Sequence, residues 1–182
     1  MTEPMANGRR RIDRVLAEDY LDGLSEKSLD EVRALRHDAE QEDADLSYVR
    51  RLLQGRMDLV RAEQARRAAS GGTPLIDRLA EVLADGPRSD HGSGRFLTVE
   101  PSRVDEHRRK VEQIVADVGI SDVAARSDAE LQSSLDALSD HERSVSELRR
   151  RVQRVMDELT AEIGRRYRDG EADVSALLSP GG

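Results

Sequence analysis

Two stretches of the chain carry apolar residues at every seventh position. Val32, Ala39, Leu46, Leu53 and Val60 form one row, and Leu131, Leu138, Val145, Val152 and Leu159 form the other. An apolar period of seven marks the seam of a long helix packed against a partner helix. Beside each seam runs a mixed row: Leu35 and Val49 alternate with Glu42 and Arg56, and Leu148 and Val155 follow Ser134 and His141. One clean row and one interrupted row predict a coiled-coil pair of modest intrinsic stability. Both stretches begin on an S-x-x-E capping box, Ser28-Leu29-Asp30-Glu31 and Ser127-Asp128-Ala129-Glu130. The Ser oxygen takes an orphan N–H while the Glu reaches back. The pattern therefore predicts one helix over 29–68, stopping before Ser70-Gly71-Gly72, and another over 128–168, stopping near Gly170. Each would be about 60 Å long.

The two stretches belong to a larger duplication. Residues 9–67 align without a gap on 108–166, an offset of 99, so that Arg9-Arg10-Arg11-Ile12-Asp13 meets Arg108-Arg109-Lys110-Val111-Glu112. Each copy reads as a short helix, a break and a long helix, giving a first repeat over 9–68 and a second over 102–169. Residues 69–101 between them read as a linker. It holds a short amphipathic helix at 74–85, begun by Thr73-Pro74 and carrying Leu75, Ile76, Leu79, Val82 and Leu83. Arg88 to Gly94 is rich in Gly and Ser and is expected to be flexible. Residues 1–8 and the tail 170–182 are expected to be disordered.

Within the duplication one polar pattern stands out. Asp43, Ser47, Arg50, Gln54 and Asp58 recur as Glu142, Ser146, Arg149, Gln153 and Asp157, with identical spacings of four, three, four and four. Such steps keep side chains on one side of a helix, in a stripe about 80° wide and about 22 Å long. With Leu46 at heptad position a, the first stripe occupies e, b, e, b and f, flanking the seam. An antiparallel pair sets e beside e′, whereas a parallel pair sets e beside g′. Only the antiparallel arrangement brings both stripes to one side of the coil, where a ligand with two-fold symmetry would fit. The expected fold is thus all-α: a long antiparallel coiled-coil hairpin with short accessory helices.

Composition narrows the function. Charged residues make up 36% of the 182 positions and aromatics 2%, which suits long solvated helices better than a thick globular core. A net charge of −8 argues against direct DNA binding and suits a basic protein partner. The absence of cysteine excludes disulfides, iron–sulfur clusters and thiolate zinc sites. No long apolar run suggests a membrane span or signal peptide, so a cytoplasmic location is expected. His37, His91, His107 and His141 form no E-x-x-H pair, and neither a nucleophile–base set nor a metal set is visible, so enzymatic activity is not expected.

A charged row on a helix is ordinarily a solvated face. Here, however, four of the five stripe positions are identical between copies and the fifth keeps its carboxylate, while the surrounding repeat has diverged. The residue types suit a guanine nucleotide. Arg can donate two hydrogen bonds to guanine O6 and N7 or grip a phosphate. A carboxylate can accept from guanine N1–H and N2–H₂. Ser and Gln can bond phosphate or exocyclic groups without adding charge. Nothing resembles a P-loop.

The spacing E-x3-S-x2-R-x3-Q-x3-D resembles the cyclic-di-GMP signature of RsiG, a family of actinobacterial anti-sigma factors. The second copy matches at all five positions and the first at four, with Asp43 in place of Glu. The resemblance implies that Asp43, Ser47, Arg50, Gln54, Asp58, Glu142, Ser146, Arg149, Gln153 and Asp157 bind cyclic-di-GMP, as a stacked pair of molecules. It further implies that the loaded hairpin sequesters WhiG, a sigma factor of sporulation. The rival reading is a structural or scaffolding coiled coil whose polar stripes are merely solvated.

Overall fold

The computed structural model describes residues 4–5, 8–69, 104–117 and 122–170. The expected helix at 74–85, the flexible linker and most of the two termini lie outside them. Among the described residues there are four helices and no strand: α1 (Arg11–Val15), α2 (Leu29–Ala68), α3 (Val104–Asp117) and α4 (Asp128–Arg168). The two long helices cover the residues expected of them and pack against each other as a helical hairpin.

Local chemistry sets their ends. Ahead of α2, Ser28 N donates to Glu31 Oε2 (2.6 Å) and Glu31 N donates to Ser28 Oγ (3.2 Å). Ahead of α4, Ser127 N donates to Glu130 Oε2 (2.7 Å) and Glu130 N to Ser127 Oγ (3.3 Å). The bonds from the Ser127 backbone and hydroxyl, with Arg126 nearby, hold the Glu130 carboxyl at about 2. Past the end of α4, Gly170 takes φ 74, the left-handed conformation that closes helices and that glycine adopts without a Cβ penalty.

The chain forms two compact units, each built from the first part of one repeat and the last part of the other: residues 1–44 with 147–182, and residues 45–146. In the first unit, Arg33 near the start of α2 donates to the Tyr167 hydroxyl near the end of α4. In the second, Arg67 Nη1 near the end of α2 meets Asp128 Oδ1 at the start of α4 (2.8 Å), and Gln64 donates to Gln132 (3.2 Å). Within each unit the long helices therefore run antiparallel. The seam residues Val32, Ala39, Val152 and Leu159 are buried in the first unit. Leu46, Leu53, Val60, Leu131, Leu138 and Val145 are buried in the second. The short helices add Ile12 and Val15 to one core and Val111 and Val115 to the other. Ile12 and Val111 occupy equivalent places in the repeat.

The mixed row does not stay polar by staying wet. Glu42 and Ser134 are buried, and Arg56 reaches out to Glu112 of α3. On α2 every residue from Glu42 to Ser47 is buried, so this stretch is enclosed all round its circumference. In the first unit the Arg10 guanidinium beside α1 lies in the field of Glu42, which helps raise its pKa after the larger effect of its bond to Asp13. In the second unit His107 of α3 sets Nε2 3.5 Å from Asp45 Oδ2.

Candidate functional site

Each unit holds part of the two polar stripes. In the first unit Arg149 Nε lies 3.1 Å from Asp43 Oδ1. In the second, Glu142 Oε1 gathers three motif side chains: Gln54 Nε2 donates to it at 3.2 Å, Ser146 Oγ donates at 3.0 Å, and Arg50 Nη1 stands 3.9 Å away. Asp43 and Glu142 occupy the same place in the repeat, as do Arg149 and Arg50. In both units, then, the carboxylate that opens one motif copy faces the Arg of the other copy. Antiparallel packing produces this arrangement, because it sets the beginning of one stripe against the middle of the other.

The stripes are drier than a flanking position suggests. Asp43 and Ser47 are buried, because they fall in the enclosed stretch of α2; Arg50, Gln54, Glu142, Ser146, Arg149 and Gln153 are half-buried. Only the far ends are open: Asp58 and Asp157 are exposed, and Asp58 pairs with Arg61 at 3.0 Å. Ser47 Oγ and Arg50 Nε, both in the second unit, are buried without a hydrogen-bond partner among the described residues. An unsatisfied buried polar group of this kind costs about 1–3 kcal/mol. Such atoms leave hydrogen-bonding capacity that the described residues do not meet.

A second repeated constellation escaped the sequence reading. Glu63 accepts from Arg66 Nε (2.8 Å) and Arg67 Nε (2.6 Å). At the equivalent place Glu162 accepts from Arg165 Nε (2.9 Å) and Arg166 Nε (2.7 Å). The Arg66 and Arg67 bonds hold the Glu63 carboxyl at about 2, and Arg165 and Arg166 do the same for Glu162. The second Arg of each set then reaches the chain leading into the opposite long helix. Arg166 donates to the carbonyls of Leu24 and Lys27, and Arg67 donates to those of Val123 and Ala124. Each clamp ties a helix end to the capping segment of its partner, and Leu24 and Val123 are themselves repeat equivalents. The matching E-x2-R-R spacing at Glu63 and Glu162 was the available signal.

Among the described residues no helix is long and apolar enough to cross a membrane, and no cluster of three or more His, Asp or Glu could hold a metal ion.

Comparison with known families points to one assignment. The RsiG-like family model matches residues 18–83 and 117–180, stretches that begin 99 positions apart, the same offset as the internal repeat. No curated protein matches the chain. The matched stretches cover most of both repeats, including all ten motif positions, and the chain belongs to the RsiG-like family.

Proposed function

We propose that this protein is a cytoplasmic anti-sigma factor that binds cyclic-di-GMP through its two motif copies and, when loaded, sequesters a WhiG-type sigma factor. Membership of the RsiG-like family supports the anti-sigma role. The observation that carries the ligand is the pair of buried donors without a hydrogen-bond partner, Ser47 Oγ and Arg50 Nε, lying on the repeated motif. A scaffold with solvated stripes would leave the cost of those donors unreturned.

The chemistry is complementary. A stacked cyclic-di-GMP pair carries phosphate charges and guanine edges in a two-fold arrangement. Arg50 and Arg149 supply planar, permanently charged donors for phosphate or for guanine O6 and N7. Glu142, Asp58 and Asp157 accept from guanine N1–H and N2–H₂, while Ser47, Ser146, Gln54 and Gln153 bond without adding charge. Ligand contacting both long helices stabilises the hairpin by mass action and so raises the population of the surface offered to sigma. Reciprocity requires sigma to tighten ligand binding by the same factor. The test is a cyclic-di-GMP titration with and without purified WhiG-type sigma factor. A lower Kd with sigma is expected, and equal affinities would remove the proposed coupling.

A further inference from the structure

The two facing Arg–carboxylate pairs are equivalent by descent yet unequal in strength, and the difference bears on how the site fills. This inference rests on the cyclic-di-GMP reading. Arg149 lies 3.1 Å from Asp43, with the two side chains 25% and 6% exposed. Arg50 lies 3.9 Å from Glu142, with side chains 35% and 21% exposed. Attraction between charges grows as they approach and as water is excluded. On both counts the Asp43 pair is the tighter one.

A carboxylate beside an Arg also repels the phosphate that would take its place. Before a ligand phosphate can settle on either Arg, the facing carboxylate must turn away. Glu142 is free to do so. Its chain has one more torsion than that of Asp, and at 21% exposure against 6% for Asp43 water can take up its charge as it turns. Asp43 is one methylene shorter and sits in the enclosed stretch of α2, where there is little room to turn.

We propose that these pairs act as guards of unequal strength, so that cyclic-di-GMP engages Arg50 before it engages Arg149. The substitution of Asp for Glu at the head of the first motif copy then has a purpose: it staggers the filling of the two half-sites. A second molecule arrives only after the first, and the fully loaded hairpin forms over a higher range of ligand concentration than the half-loaded one.

The Arg Nε–H resonances of the full-length chain report each half-site separately. Arg50→Lys and Arg149→Lys variants assign them. With increasing cyclic-di-GMP the Arg50 signal is expected to reach half-shift at about tenfold lower ligand than the Arg149 signal, equivalent to about 1.4 kcal/mol. Asp43→Asn weakens the tighter guard and should bring the Arg149 midpoint down to that of Arg50. Coincident midpoints in the unaltered chain, or Arg149 moving first, would overturn the ordering while leaving ligand binding intact. An undiminished gap in Asp43→Asn would remove Asp43 as its cause. If neither resonance moves at saturating ligand, the cyclic-di-GMP reading itself fails. The ordering is measured on the unaltered chain, so a folding defect in a variant does not affect it.

Discussion

Replacing Glu63 by Gln tests whether the end clamps hold the hairpin. The Glu63 side chain is 0% exposed, and its oxygens accept from Arg66 Nε and Nη2, both at 2.8 Å, and from Arg67 Nε at 2.6 Å. Glutamine keeps one acceptor and turns the other into a donor that faces a cation. A charge-assisted hydrogen bond contributes about 1.5–3 kcal/mol against about 1 for a neutral one. Arg66 and Arg67 are 30% and 23% exposed, so water offsets part of the loss. A destabilisation of about 2 kcal/mol remains, and for a chain of this size Tm should fall by about 4–8 °C. The pH dependence makes the test sharper. The carboxyl titrates at about 2 in the fold against an ordinary value of 4.5, so its contribution is fully present above about 4.5 and is lost as pH falls toward 2. Thermal melts of both proteins should therefore differ fully at pH 7, less at pH 3 and hardly at all near pH 2. A gap that stays constant from pH 7 to pH 2.5, or no gap at pH 7, would refute a charged clamp.

Other expectations follow from the same geometry. Leu53→Ala opens a cavity in the fully buried seam and should cost about 2–5 kcal/mol, read by urea denaturation, whereas Arg143→Ala, whose exposed pair with Asp140 lies outside the seam, should change stability by less than about 1 kcal/mol. Ser127→Ala removes the oxygen that receives Glu130 N and should cost about 1 kcal/mol, with helix content at low temperature nearly unchanged. Tyr20→Phe deletes the hydroxyl that donates to Leu35 O at 2.8 Å and should cost about 1 kcal/mol in the same assay. Burial pushes the Tyr20 phenol up to about 12, so in the native protein it should resist ionisation at pH 11, where an exposed phenol is largely charged.

Much of the hairpin was legible because its signals are local or periodic. The seven-residue rows, the two capping boxes and Gly170 each act through neighbours in sequence, and they fix the ends of α2 and α4. The polar motif was legible because a duplicated chain contains its own comparison. What could not be read depends on which short helix lies against which long one. Asp43 and Ser47 sit at flanking heptad positions that ordinarily face water, and no period in α2 foretells that Glu42 to Ser47 is enclosed all round. The contact of Asp45 with His107 joins residues 62 positions apart across α3. The clamps were missed for a different reason: Glu63 lies in the seam row itself, where a charge reads as an interruption until its two Arg partners are seen folded over it.

Whether the repeated motif binds cyclic-di-GMP is measured most directly by isothermal titration of the unaltered chain, with GTP as control and with the Arg50→Ala, Arg149→Ala double variant beside it. The account predicts saturable heat with cyclic-di-GMP at a ratio approaching two molecules per chain, none with GTP, and none with the double variant in spite of an unchanged circular dichroism spectrum. Equal heats for cyclic-di-GMP in the variant and the unaltered chain, or no binding in either, would contradict it.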